Sequence, residues 1–157
     1  MGGSAALSQG STKWNPPASS QASSVTITQT LSRQAPWMQQ ASSRLNELRH
    51  LAPDWDGYKS PKISDQALTS AEVLLNAINR EGLTLPRILP VSGGGIALEW
   101  KCGQRSVDFE ILPSGLVEYL RTEENSDRSE STIEEGDLSV ARLYEARFII
   151  EWLVGIS

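Results

Sequence analysis

Four carboxylates, Glu99, Asp108, Glu110 and Glu118, fall in a stretch of the sequence where polar and apolar residues alternate. In a β-strand such alternation puts every second side chain on one face of the sheet, so the four acids would share a face. Clustered carboxylates can bind Mg²⁺ or Ca²⁺, or shift one another's pKa for acid–base catalysis. The spacing therefore predicts an acidic sheet face, for which four interpretations are possible.

The first alternative is a solvated face without a role, because antiparallel sheets often leave one side in water. The second is a surface that binds a basic partner protein, and the third is a metal-dependent hydrolase. The segment Asp108-Phe109-Glu110 is similar to strands of metal-dependent nucleases, but Leu112 stands where such sites place a lysine. We therefore predict no catalytic residue, no bound metal and no cofactor, and rank the partner surface above catalysis. An acidic mimic of nucleic acid is a further alternative, and it requires carboxylates spaced along an extended surface.

The loop Trp55-Asp56-Gly57-Tyr58 is a second candidate for partner binding. Trp and Tyr offer large, stiff contact surfaces, which suits recognition. The structural alternative is that Asp56 accepts backbone N–H bonds, that Gly57 takes a positive φ, and that the rings cover the helix ends. We favour the structural alternative and retain Trp55, Asp56 and Tyr58 as candidate contact residues.

The single histidine and the single cysteine narrow the possible chemistry. His50 ends the first predicted helix, where interaction with the last carbonyls is expected more than a His–Asp acid–base pair. Cys102 lies in a predicted turn between Lys101 and Arg105, but no general base is near it in the pattern, so we do not expect a nucleophile there. A zinc cage of Cys and His would need a second subunit.

The 157 residues carry a net charge of −5 with a pI near 4.9. This acidity and the lack of a basic stripe argue against direct nucleic-acid binding and permit a basic protein partner. No signal peptide or membrane span is visible, and one cysteine fits a reducing compartment. We expect a cytoplasmic protein without membrane contact, whose oligomeric state the sequence leaves open.

Residues 94 to 121 predict three antiparallel strands joined by two turns. A two-residue turn at Cys102-Gly103 would place Leu98 opposite Val107 and Ile96 opposite Phe109. A three-residue turn at 113–115 would place Ile111 beside Val117, Phe109 beside Tyr119 and Glu110 opposite Glu118. All three strands then agree on one apolar face, and Trp100 would neighbour Arg105.

Helices are predicted over 36–51 and from an N-cap at Ser64 to a stop near Gly82, and a third over 138–153. In the third helix Val140, Tyr144, Phe148 and Trp152 recur every four residues and are expected to cover the sheet, with a docking face as the alternative. RILPV (87–91) predicts a short edge strand. Residues 1–33 predict a flexible Ser/Gln-rich tail in which 25–31 could form a strand on docking, and 122–137 predict an acidic loop.

These elements predict an α+β domain over 34–157, with two layers: a three- to four-stranded antiparallel meander packed against two or three helices. The chain also resembles a set of small bacterial proteins, mostly described as hypothetical, that pair a WDG(Y) loop with a GGIxLEW strand. The likeness spans about residues 45 to 121, and the residues that carry it are Trp55-Asp56-Gly57-Tyr58, Pro86, Gly94-Gly95-Ile96-Ala97-Leu98-Glu99-Trp100, Phe109-Glu110-Ile111 and Gly115-Leu116-Val117-Glu118-Tyr119-Leu120.

The resemblance implies no activity, cofactor or catalytic residue, since none is established for that set. It implies an association with mobile elements, defence loci or toxin–antitoxin loci. Together with the acidic face it favours a non-enzymatic module that binds another protein, as an accessory, inhibitor or antitoxin-like subunit.

Overall fold

Alternation of apolar and polar residues produces an antiparallel sheet in the structure, a computed structural model that describes residues 34–127 and 130–155. Five strands lie in chain order across the sheet, each paired with the next. They are β1 (Arg87–Val91), β2 (Gly95–Cys102), β3 (Arg105–Ile111), β4 (Val117–Glu123) and β5 (Thr132–Leu138). The predicted α+β class and edge strand β1 are confirmed, while the sheet has one strand more than the predicted maximum. The tail predicted for 1–33, with its possible strand at 25–31, lies outside the described residues.

The additional strand corrects the acidic loop predicted for 122–137. Thr122 and Glu123 end β4, and Thr132–Leu138 pairs with β4 as β5. The prediction was wrong because charged residues lie on both faces of β5 and obscure the alternation of polar and apolar residues. Pairing with β4 supplies the backbone hydrogen bonds that the composition does not reveal.

The pairing of β2 with β3 differs from the predicted register by two residues. Leu98 lies opposite Phe109 and Ile96 opposite Ile111, because the turn is Gly103-Gln104 and not Cys102-Gly103. Gly103 has a φ of 61° and is the first central residue of the turn, the position where hairpins favour glycine. A shift of two residues leaves every side chain on its predicted face, since the strand period is two.

The pairing of β3 with β4 is confirmed in register and in turn. Ile111 lies opposite Val117, Phe109 opposite Tyr119 and Glu110 opposite Glu118. The Leu112 N–H donates to the Leu116 carbonyl over 2.8 Å, which encloses residues 113–115 as the three-residue turn.

The first two of three α-helices in the described residues pack on the apolar face of the sheet as follows. Helix α1 (Pro36–Arg49) begins with a proline, and α2 (Asp65–Ala77) begins after Ser64, whose side chain accepts the Ala67 N–H. Helix α1 buries Ala41 and Leu45 and ends at Arg49, two residues before the predicted end. Helix α2 ends at Ala77, so Gly82 lies in a later turn and is not the predicted stop.

The last predicted helix is two elements, a 3₁₀ helix (Val140–Glu145) followed by α3 (Ala146–Val154). The expected covering stripe is wrong. Val140, Tyr144 and Phe148 are 58%, 54% and 51% exposed, and Trp152 is half-buried. The 3₁₀ turn rotates the segment, so that Val140, Tyr144 and Phe148 turn outward. The residues that reach the core are Leu143, Ala146, Ile149, Ile150 and Leu153.

Aromatic side chains join α1 to the sheet in the core. The ring of Trp100 makes edge contacts with Trp37 and Phe109, at centroid distances of 6.3 and 6.1 Å, and its Nε1 donates to the Thr84 carbonyl over 2.8 Å. Arg105 was expected beside Trp100, and that expectation is wrong. Its guanidinium carbon lies 4.9 Å from the Trp152 ring centroid and Nη1 donates to the Trp152 carbonyl over 2.6 Å, so Arg105 fixes the end of α3 to β3. No helix within the described ranges is long and apolar enough to cross a bilayer.

The close approach of β2 to β3 yields a stability prediction at Gly95. A Cβ added there would lie 2.5 Å from the Ile111 carbonyl oxygen, a backbone atom that cannot move without opening the ladder. We expect Gly95→Ala to reduce the free energy of unfolding by about 1–3 kcal/mol in urea denaturation.

Gly136→Ala is the matched control, because it adds the same methyl group to β5. Its Cβ would meet the Tyr119 ring at 2.7–2.8 Å, and a half-buried side chain can turn aside. Gly136→Ala should therefore cost less than Gly95→Ala. Equal stability of Gly95→Ala and the wild type would contradict the register of β2 and β3.

Candidate functional site

The sheet turns its apolar side chains to the helices and its carboxylates away from them. Ile96, Leu98 and Phe109 are fully buried, whereas Glu110 and Glu118 are exposed and Glu99 and Asp108 are half-buried. All four carboxylates predicted from the sequence thus lie on one outward surface. Strand β5 adds two more to it, and we call the set of six the acidic face: Glu99, Asp108, Glu110, Glu118, Glu135 and Asp137.

Three carboxylates of the acidic face form a continuous cross-strand row. Glu110 lies directly opposite Glu118, and Glu118 directly opposite Asp137. In a second row Glu99 lies opposite Asp108. Like charges directly opposed on a sheet are destabilising unless something relieves them.

Among the described residues, few cations lie near these carboxylates, and Arg142 interacts with Asp137 from beyond ion-pair distance. Glu99 pairs with Arg87 at 3.0 Å, and Lys101 at the margin pairs instead with Glu124 at 3.8 Å. Among residues 34–127 and 130–155, no cation lies within ion-pair distance of the other five carboxylates of the acidic face. The acidic face therefore presents concentrated negative charge to solvent.

The effect of this arrangement is seen in the pKa of Asp108. Partial burial, and then the negative charge of Glu99 opposite it, raise the pKa of its carboxyl above the ordinary value. Both causes disfavour the ionised form. At neutral pH the charge on Asp108 therefore opposes folding.

The acidic face is a shallow, open depression. Its volume is about 630 Å³, and its lining includes Ala97 and Leu120 beside the carboxylates. Leu120 is 36% exposed, and Ile133 on the neighbouring β5 is 62% exposed. A partner could thus find apolar contacts between the charges.

The carboxylates do not converge on a point. In the described part of the chain, no three His, Cys, Asp or Glu side chains are placed to hold one metal ion. The geometry therefore gives no support to a metal site on the acidic face.

The loop that contains Trp55-Asp56-Gly57-Tyr58 is fixed to the sheet through Asp56. Its Oδ2 accepts hydrogen bonds from Ser60 Oγ at 2.6 Å and from Ser92 Oγ at 2.5 Å. Its Oδ1 accepts the backbone N–H of Tyr58 at 2.9 Å. These bonds, led by those of Ser60 and Ser92, hold the pKa of Asp56 well below its ordinary value. Asp56 thus joins the loop to the turn between β1 and β2.

The two rings of this loop behave differently from the structural alternative. Trp55 is half-buried, and its buried Nε1 has no hydrogen-bond partner among the described residues. Tyr58 is 86% exposed and covers no helix end. The sequence pattern correctly marked Asp56 as an anchor and Gly57 as a residue with positive φ, at 75°. It did not indicate that Tyr58 projects into solvent from a rigid loop.

The single histidine and the single cysteine both lie at the surface. His50 is exposed, and its Nδ1 lies 2.7 Å from the Asn46 carbonyl oxygen at the end of α1, as the sequence predicted. Cys102 is exposed at the end of β2.

Glu135 and Asp137 are the site residues that sequence reasoning missed. The sequence did contain a signal for β5. Thr132 and Ile133 are β-branched, and the strand ends on the apolar residue Leu138. Glu134 obscured this signal, because its charge lies on the other face, where it pairs with Arg121. Comparisons with protein-family models, with curated proteins and with solved structures found no match.

Replacing Asp108 with Asn should stabilise the protein. The raised pKa means that ionisation of Asp108 lowers stability as the pH rises through the folded-state value. We expect Asp108→Asn to melt at a higher temperature than the wild type at pH 7. The difference should disappear as the pH falls well below the unfolded value of about 3.9, where the carboxyl is protonated in both the folded and the unfolded state. A lower melting temperature at pH 7 would contradict the placement of Asp108, and Glu81→Gln, a neutralised acid in the turn before β1, should change nothing.

Replacing Asp56 with Asn should have the opposite effect. A depressed pKa stabilises the fold above the unfolded value of about 3.9, and this contribution is lost as the pH falls through the folded-state value. We expect Asp56→Asn to lower the melting temperature at pH 7 and to speed amide hydrogen exchange at Tyr58 and Ser60. Unchanged exchange at both amides would show that Asp56 does not hold the loop.

Proposed function

We propose that this protein is a non-enzymatic interaction module whose acidic face binds a basic surface of another protein. The observation that carries this proposal is the row Glu110, Glu118 and Asp137, three directly opposed carboxylates without an ion-pair partner in the described residues. A basic surface would relieve their repulsion and steer association over long range. Such a module would serve as an accessory, inhibitor or antitoxin-like subunit.

Energetics distinguish this proposal from a solvated face without a role. A solvated face can carry mixed charges, which stabilise a sheet through opposite-sign pairs. Here the raised pKa of Asp108 and the opposed row make the face unfavourable for the isolated chain. Proteins commonly lose stability at residues that serve binding, so the cost itself supports a role.

The residues of the Trp55–Tyr58 loop differ in how well they are suited to partner contact. Asp56 is occupied by its own hydrogen bonds and Trp55 is half-buried, so neither is suited to partner contact. Tyr58 is suited, because an exposed aromatic ring on a fixed loop loses little entropy on binding. We retain Tyr58 as a second contact point.

The acidic mimic of nucleic acid is the alternative that the acidic face also supports. A mimic needs charges that follow an extended surface, as phosphates follow a duplex. The six carboxylates instead surround a depression that also contains Leu120. This mixture of charge and apolar surface favours a protein partner chosen for its own shape.

The resemblance to bacterial proteins with a WDG(Y) loop supports the setting of the proposal. Accessory subunits of defence or mobile-element systems act on other macromolecules in the cytoplasm, where we place this protein. The hydrolase alternative has no support from the geometry and is not proposed.

Neutralising the opposed row should weaken partner binding while preserving the fold. We would recover the partner by pull-down from the native host with mass spectrometry. We then expect Glu110→Gln, Glu118→Gln and Asp137→Asn together to weaken its affinity about tenfold or more. Wild-type binding should also weaken with added salt. The variant should melt no lower than the wild type, since opposed like charges have been removed.

A matched variant controls for net charge. Glu47→Gln, Glu72→Gln and Glu81→Gln remove three negative charges from the helical layer and the turn before β1, and should leave affinity near the wild-type value. Full affinity in the sheet variant, or an equal loss in both variants, would refute binding through the acidic face.

A further inference from the structure

The two edges of the sheet are not equally accessible. In β1, Pro90 has no N–H to offer to another strand, and Arg44 of α1 donates to the Ile88 carbonyl over 3.0 Å. Prolines and covering side chains are devices that block pairing at an edge. The β1 edge is therefore closed to an additional strand.

Strand β5 forms the other edge and carries neither device. It has no proline, and every second residue of an edge strand turns its N–H and C=O away from the sheet. Within the described ranges no backbone or side-chain group donates to or accepts from these outward groups of β5. Unpaired backbone groups along a seven-residue strand are a template for a further strand.

We propose that the β5 edge accepts an extended basic segment of the partner protein as a sixth strand. This inference rests on the proposed function and specifies how the partner is recognised. The edge and the acidic face are continuous, because Ile133, Glu135 and Asp137 of β5 point to the outer side of the sheet. A strand that pairs with β5 would place alternate side chains directly beside these three.

The order of those three residues sets the sequence that fits. From its N-terminus, an antiparallel segment would meet Asp137, then Glu135, then Ile133. Its sequence should therefore be a basic residue, any residue, a basic residue, any residue and an apolar residue. Each basic side chain would lie next to a carboxylate, and the apolar one would cover Ile133, which is 62% exposed. Backbone pairing supplies affinity and the alternate side chains supply specificity.

Charge favours a basic segment over two other possible occupants of the β5 edge. A second copy of the chain would oppose the Glu135 and Asp137 of one β5 with those of another, a like-charge arrangement that edges use to prevent pairing. Residues 25–31, VTITQTL, carry no charge and cannot relieve the carboxylates. A basic segment satisfies both the backbone and the charges.

Peptides with a Lys-Thr-Lys-Thr-Ile core test the proposal on the full chain, with affinity measured by fluorescence anisotropy. A peptide of the same composition with adjacent lysines, Lys-Lys-Thr-Thr-Ile, should bind several-fold more weakly, since only one lysine can reach the outer face. Two N-methylated versions give the decisive comparison. A strand on an edge uses only every second N–H, so methylating one alternate set should weaken binding about tenfold or more, while methylating the other should change it little.

Protein variants locate the contact. Glu135→Gln with Asp137→Asn should weaken binding of the alternating peptide, and Glu81→Gln should not. Equal effects of the two methylation patterns would overturn strand addition yet leave the acidic face as a charged docking surface. Absence of peptide binding, concentration-dependent dimerisation that the peptide does not dissolve, or better binding of the 25–31 peptide would each overturn strand addition. The proposed function is judged separately, by the partner's response to the row variant.

Discussion

The two-residue period of β-strands is the constraint on which the rest of this structure depends. Burial of Leu98, Phe109 and Ile111 against the helices stabilises the fold, at about 1.5–3 kcal/mol for each large side chain. The same strands must then point the intervening Asp108 and Glu110 outward. The acidic face is thus positioned by the core, and no separate scaffold is needed to assemble it.

The carboxylates of the molecule lie in two opposite electrostatic environments. Asp56 is surrounded by donors, which lower its pKa and make its charge a stabilising link between the loop and the sheet. Asp108 has a carboxylate opposite it and partial desolvation, which raise its pKa and make its charge a cost. Hydrogen bonds to the ionised form favour it, whereas desolvation and a neighbouring like charge disfavour it. Electrostatic environment, and not residue type, separates the two.

Strand β5 changes how the acidic residues 122–137 contribute to the structure. As a loop, residues 122–137 would only be a solvated charge run. As an edge strand, Thr132–Leu138 extends the acidic face by Glu135 and Asp137 and leaves an open set of backbone groups at its border. The exposed Val140, Tyr144 and Phe148 follow from the same geometry, because the chain leaves β5 through a 3₁₀ helix that rotates the next residues away from the core.

The sequence by itself determined the layers, the faces of β2 to β4 and the outward direction of four carboxylates, because periodicity records which side chains are buried together. A register error of two residues between β2 and β3 did no harm, since such a shift preserves the face. Tertiary structure alone decided the fifth strand, the exposure of Tyr58 and the partner of Arg105, which is Trp152 and not Trp100. These features depend on contacts between segments that are distant in the chain. A local sequence pattern does not predict which distant segment a residue will contact.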